Sequence, residues 1–241
     1  MLRRILIGLA VTAVVTALVA VIVVRQLVFG GTPTINRTGS LTAPTPCATI
    51  GTPAGQFAFA VDTQQSSASY TAHFQAAGQD LPGTVTGVTG NITGQFLLVA
   101  LPQPAIQSLT ITIDLRSLDS GAAERDQHVR DDTLETAKYP FATFSATDTP
   151  ILTGAYTQGQ PVSFTLTGNL TLHGVTRPAT FAMRGKLAAD TVTGTGTTLI
   201  HLQDFHMKPP MTTSVVPIVV SPAVTLTISV TAQRTACASS S

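Results

Sequence analysis

Leu109, Ile111, Ile113 and Leu115 alternate with Thr110, Thr112, Asp114 and Arg116, and segments built the same way recur along most of the chain. Period-2 alternation sends each class of residue to one face of a strand, so every such segment has a face that must be buried. Phe57, Phe59 and Val61 share a face, as do Ala68, Tyr70, Ala72 and Phe74. Val88, Gly90, Ile92, Gly94, Phe96 and Leu98 oppose Thr89, Asn91, Thr93 and Gln95. Further sets are Val162, Phe164, Leu166, Gly168, Leu170 and Leu172; then Phe181, Met183 and Leu187; and finally Val224, Leu226, Ile228 and Val230. Roughly eight strands joined mostly by short turns predict a mainly β fold, an antiparallel sheet that hides its edges by closing into a barrel.

One interval reads as helical, between Ser120 and Tyr139, where Asp132-x-x-Glu135 has the form of a capping box and Pro140 ends the turn. It predicts a short helical lid or plug on one end of the barrel. Ahead of the strands, Ile5 to Val24 is interrupted only by Gly8, Thr12 and Thr16. As a helix it is about 30 Å long, the thickness of a bilayer's hydrocarbon core. A signal-peptide apolar region is normally about 7–15 residues, and no small-x-small cleavage site adjoins this run. Residues 1–25 therefore predict one N-terminal transmembrane helix acting as a signal anchor, with a cleaved signal and a secreted or periplasmic domain as the alternative. Arg3 and Arg4 before the span and Arg25 after it lean mildly towards an inside N-terminus. Residues 26–55, rich in Thr, Pro and Gly, read as a flexible linker. Residues 56–235 form the barrel domain, and 236–241 a short disordered tail.

A formal net charge of +1 with only 10% charged residues excludes the basic footprint of a nucleic-acid partner. RDQHVR (Arg125 to Arg130) stands out against that background. Asp126 and His128 have the residue types of an acid–base pair. No nucleophile in a recognisable context accompanies them, so the favoured reading has Arg125, Asp126, Arg130 and Asp131 tying the helical segment to the barrel. His201 and His206 point to opposite faces of a regular strand, which disfavours a shared metal in HLQDFH. Gly194-Thr195-Gly196 lacks the third glycine of a dinucleotide site. No catalytic set and no metal site are assigned. Cys47 and Cys237, the two cysteines, bracket the barrel. First and last strands are neighbours in a closed barrel, so outside the cytoplasm the pair is expected to form a disulfide. From periodicity alone, the apolar faces are expected to pack a solid core; a barrel of this size either fills its interior or holds one ligand.

The order of motifs narrows this. Phe59-Ala60-Val61-Asp62, Asp114 to Asp119, RDQHVR, AKYPFATF (Ala137 to Phe144), LTGNLTLHGVTRP (Leu166 to Pro178) and Asp204-Phe205 together resemble the YceI-like family over about Phe57 to Gln233. The resemblance implies an extended, eight-stranded, lipocalin-like barrel around an apolar channel for a polyisoprenoid chain. His73-Phe74 is followed by a looser stretch than the family pattern, and HMKPPMTTSVVP (His206 to Pro217) also departs from it. The implied role is non-catalytic binding or carriage of an isoprenoid-quinone-type lipid in the bacterial envelope, with no cofactor beyond such a lipid. Candidate lining residues are Phe57, Phe59, Tyr70, Leu109, Ile111, Ile113, Phe164, Leu166 and Leu170. Arg125, His128 and Arg130 are the candidates at a headgroup. The alternative is an envelope stress or surface scaffold with a solid barrel whose loops bind a protein. The expected location is the plasma membrane, barrel outside; the oligomeric state is left open, a homodimer included.

Overall fold

The structure, a computed structural model, describes residues 31–37, 56–76, 82–99, 105–148, 150, 159–210 and 218–235. The expected anchor, Cys47, Cys237 and the tail lie outside these residues. Ten strands make one antiparallel sheet: β1 (Gln56–Val61), β2 (Ser67–Ala76), β3 (Pro82–Thr89), β4 (Ile92–Val99), β5 (Ala105–Asp114), β6 (Phe141–Ala146), β7 (Val162–Leu172), β8 (Val175–Ala188), β9 (Thr191–His201) and β10 (Ile218–Arg234). β1 and β2 lie end to end along one edge of β10, and β4 and β3 lie end to end beside them. Counting each of these pairs as one interrupted strand gives an eight-stranded barrel, closed where Phe59, Ala60 and Val61 pair with Arg234, Gln233 and Ala232.

Both interruptions are bridged by side chains. Ser66, 1% exposed, donates its hydroxyl to the Thr231 carbonyl and accepts from the Thr231 N–H, standing in for a missing ladder bond. At the β3–β4 break, Thr89 Oγ1 accepts from the Asn91 N–H, and the Asn91 carbonyl accepts from the Asp114 N–H. This break shifts the alternation by one residue. On β3 the pairing of Tyr70 with Gly87 and of Ala68 with Thr89 turns Val85, Gly87 and Thr89 inward, whereas on β4 the inward set is Ile92, Gly94, Phe96 and Leu98. The expected single face from Val88 to Leu98 is therefore corrected: Val88 is an outward residue and Thr89, 0% exposed, an inward one.

The helix also starts earlier than expected. α1 (Ala123–His128) continues as a π-helical turn over Val129–Thr133, and Leu115–Ser117 and Leu202–Phe205 are short 3-10 turns. Asp132 falls in the π turn rather than at a helix start, and Glu135, at φ +45°, lies just beyond its end. The start is fixed instead by Asp126, which reaches back to the Ser120 N–H, while Glu124 and Asp126 place negative charge in the first turn.

α1 and the 3-10 turns cover the end of the barrel where β5 stops, β6 begins, β7 turns into β8, and β9 ends; this is the lid end. The opposite, terminal end holds the start of β1 and the finish of β10. Within the stretch expected as a linker, Gly31–Arg37 is an arm laid along the outer wall. Gly31 and Gly121 pack backbone to backbone at φ +100° and +80°, and a Cβ on either would overlap the other's main chain. Thr34 donates its hydroxyl to Asp119 (2.6 Å), Asn36 accepts from the Gly90 N–H (3.0 Å), and Arg37 donates to the Thr63 carbonyl (3.0 Å).

Candidate functional site

Around the inner wall, Phe59, Leu166 and Leu170 are at most 4% exposed, and Leu109 and Ile111 are also buried. Phe57, Tyr70, Ile113 and Phe164 share the inward face but remain only partly buried. All nine residues singled out for lining thus stand on the inner face. The same inward, partly buried position is held by Met183, Leu187, Val192 and Leu226. Phe59 stacks on Phe96 with ring centres 5.1 Å apart, and Phe144 meets Phe181 edge-on at 4.9 Å.

Four interior glycines decide where the longer side chains go. The Phe74 ring lies over Gly83, the Tyr70 ring over Gly87, the Phe144 ring over Gly168, and the Met183 thioether over Gly196. Three of these are direct cross-strand partners: Phe74 with Gly83, Tyr70 with Gly87, Met183 with Gly196. Each bulky group is laid against the wall, in the space a Cβ would fill, and so is kept out of the middle of the barrel.

At the lid end the wall meets polar groups. Asp126, 6% exposed, accepts from the Ser120 N–H and from its hydroxyl. Arg125 donates to Ser120 Oγ (2.8 Å) and to its carbonyl (2.7 Å), and Arg130 donates to the Leu118 carbonyl (3.2 Å). The RDQHVR run therefore ties α1 to Leu118–Ser120, a segment joined to β3 by the Val88–Asp119 bridge. Tyr70 Oη is buried beside Ser120 with no partner at hydrogen-bonding geometry. Burial, and next the Asp126 carboxylate, push its pKa up to about 12, so the phenol keeps its proton and remains a donor.

Of the three headgroup candidates, Arg125 and Arg130 are brought to the Leu118–Ser120 segment near Tyr70. His128 is not: its Nδ1 meets Asp132 at 2.9 Å on the solvent face, with 53% of the side chain exposed. Asp126 and His128 consequently do not form the acid–base pair their types allow. An outer groove of about 460 Å³ between arm and lid is lined by Thr34, Asn36, Arg116, Asp119, Asp126 and Arg130, and lies outside the barrel wall. Among the described residues no three His, Cys, Asp or Glu side chains gather as a metal site.

Two further residues of the lid end are brought in by the fold. Alternation marks Tyr70 only as apolar lining. His173 sits in the β7–β8 turn at φ +52°, followed by Gly174 at +72°. Its Nδ1 donates to the Phe205 carbonyl (3.2 Å), its Nε2 meets Glu135 (3.0 Å), and Tyr139 packs at 4.5 Å between ring centres. One imidazole thus joins three elements of the lid end. Its sequence signal is a histidine where a two-residue hairpin turn ordinarily takes Asn or Asp before Gly.

The YceI-like domain family matches residues 59–232. Protein YceI of Escherichia coli O157:H7 is 37% identical over 116 residues, covering 44% of this chain and 54% of its own length, so the chain spans about half of that relative. A UPF0312 protein of Shewanella sp. (strain W3-18-1) is 31% identical over 157 residues, covering 62% of this chain and 76% of its own. Among solved structures, a polyisoprenoid-binding domain from Saccharophagus degradans superposes with a TM-score of 0.57 at 18% identity, covering 74% of this chain and 99% of that one. BcnA of Burkholderia cenocepacia gives 0.53 at 23% identity, covering 71% and 98%. At these identities the structural likeness is one of fold. The chain belongs to the YceI-like family.

Proposed function

We propose that this YceI-like barrel binds the chain of an isoprenoid lipid, of the quinone or isoprenol kind, in its interior and does so without catalysis. The observation that carries the reading is the set of inward apolar residues that stay partly exposed, Phe57, Tyr70, Ile113, Phe164, Met183 and Leu226 among them. A solid barrel would cover them. The rings laid over Gly83, Gly87 and Gly168 support it, and so does the shared fold of the Saccharophagus degradans polyisoprenoid-binding domain. Burial of hydrocarbon contributes roughly 0.8 kcal/mol per methylene, so a few prenyl units offset the cost of ordering a chain. The headgroup then supplies orientation, with Tyr70 Oη as the donor at the lid end.

The location proposed with this is the outer face of a bacterial plasma membrane, with Ile5 to Val24 as the anchor. Among the described residues no helix is long and apolar enough to cross a membrane, and Ile5 to Val24 lies outside them. Mass spectrometry of organic extracts from folded domain, purified from a quinone-containing host, tests the binding. A prenylated lipid at stoichiometric amount is expected. Folded protein that carries none, and takes up none from micelles, replaces the carrier with a solid scaffold whose loops meet a partner protein.

A further inference from the structure

The arm and the outer surface of the lid half point the same way. The arm reaches the barrel at Gly31, packed on Gly121 at the entrance to α1. Only Arg25 to Gly30 separate it from the end of the apolar run at Val24. Six extended residues reach about 20 Å. β10 has 17 residues, and at the tilt of a small barrel such a strand gives a wall about 40 Å tall. With the arm docked, the lid is within the tether's reach of the bilayer and the terminal end stands well beyond it.

The exposed side chains supply a second, independent observation. The large apolar residues open to solvent among those described are Ile35 (47%), Phe141 (39%), Leu199 (61%) and Val219 (68%). Ile35 belongs to the arm, and the other three lie within three residues of the lid-end termini of β6, β9 and β10. They surround the rim, on strands from opposite sides of the barrel, rather than forming one lateral patch. Arg116 lies over the Phe141 ring at 5.2 Å, an aromatic–cation pair suited to an interface between apolar and polar media. Both ends expose charge, Glu124, Asp131, Asp132, Glu135 and Lys138 at the lid and Arg184, Lys186, Asp190 and Arg234 at the terminal end, but among the described residues the terminal end exposes no large apolar side chain.

We propose that the lid end of the barrel docks upright on the lipid bilayer, with Gly31–Arg37 as a strap that fixes this orientation. The proposal rests on the anchor reading of Ile5 to Val24. Its occupant is the bilayer itself, which accepts the Ile35, Phe141, Leu199 and Val219 side chains at its interface. An isoprenoid chain entering or leaving the lumen at the lid then passes between two apolar media without crossing bulk water.

The test uses the full chain in nanodiscs whose lipid headgroups carry an energy-transfer acceptor. A donor dye is attached at Gln127→p-azidophenylalanine on the lid, or at Ala188→p-azidophenylalanine on the terminal end; both positions are exposed. Transfer from the lid is expected to exceed transfer from the terminal end severalfold. Gly31→Leu, which drives a side chain into the Gly121 main chain, should bring the two values together while the protein stays in the membrane. Thr34→Ala, which only removes the Asp119 contact, should do so in part and covers the case in which Gly31→Leu misfolds. Equal transfer from both positions in the wild-type chain overturns the upright docking with the anchor intact. Release of full-length protein by carbonate washing overturns the anchor, and the docking with it.

Discussion

Phe59, Ile92, Leu166 and Ala232 of the wall are at most 2% exposed, and the ring closes only where Phe59 and Ala232 take their neighbours from strands distant in sequence. In the lid, by contrast, Arg125, Asp126 and Arg130 are fixed by hydrogen bonds to Ser120 and Leu118, five, six and twelve residues away. The wall is non-local and apolar; the lid is local and polar. A unit of the first kind gives way as a whole, whereas one of the second kind can open on its own at a fraction of the global free energy. For a barrel proposed to load and release a chain, that division puts the movable part at the mouth and the rigid part around the ligand.

The strongest way to break the comparison is at the wall. Phe59→Ala should destabilise the domain by about 3–5 kcal/mol, read from denaturant midpoints, because the cavity left between strands cannot close locally. Asp126→Ala should cost less, about 1–3 kcal/mol, since it strands the buried Ser120 N–H. Hydrogen exchange should then quicken across residues 118–133 and leave the β7 amides unchanged. Equal acceleration in β7 would mean that lid and wall form one cooperative unit.

A finer probe lies where the two regions meet. Tyr70→Phe removes a buried hydroxyl that has no partner, so its effect on stability should stay within about 1 kcal/mol and can be favourable. It should nevertheless lower retention of a prenylated phenol or quinone relative to a bare isoprenoid hydrocarbon, as measured by mass spectrometry of lipid extracts. Equal retention of both would remove Tyr70 from any role at the headgroup.

The smallest expected effect concerns pH. The Thr34 hydroxyl, and to a lesser degree the Gly121 N–H, hold the Asp119 carboxyl below its usual range against the opposing effect of burial. A lowered folded-state value means that the contact contributes fully above the ordinary carboxylate range and is lost as the pH falls through the lowered value. The protection factors of the amides in residues 31–37, taken relative to the intrinsic exchange rate at each pH, should therefore fall below about pH 4, before those of the wall respond.

How much could be seen in the chain beforehand follows the same division. Alternation placed Phe57 to Val61, Ala68 to Phe74, Val162 to Leu172 and Val224 to Val230 on their faces, because a strand's faces depend on parity alone. It misplaced Val88 and Thr89, since an irregularity at Gly90-Asn91 changes parity without leaving a distinctive composition. The helix start is not legible, because Asp132-x-x-Glu135 has the form of a cap while the group in use, Asp126, reaches backwards to Ser120. Gly31–Arg37 reads as linker because it has no periodicity; its docking depends on two glycines meeting and on single hydrogen bonds. The nine lining candidates were legible as a face, but the Tyr70 hydroxyl's position under the lid depends on a tertiary contact that alternation does not encode.

The short seam where Phe59 to Val61 meets Ala232 to Arg234 has a consequence for biosynthesis. Among the described strands β10 is the last made, and it supplies partners to β1 and β2, the first two. Hairpins such as β7–β8 can pair as soon as they emerge, but the ring stays open until Ala232 to Arg234 are available. Contacts of such long sequence separation form slowly, so the nascent chain passes through a stage with the edges of β1 and β2 bare and the inner apolar face uncovered. Prone to association at that stage, it has the greatest need of a chaperone in the interval between the synthesis of β9 and the arrival of β10.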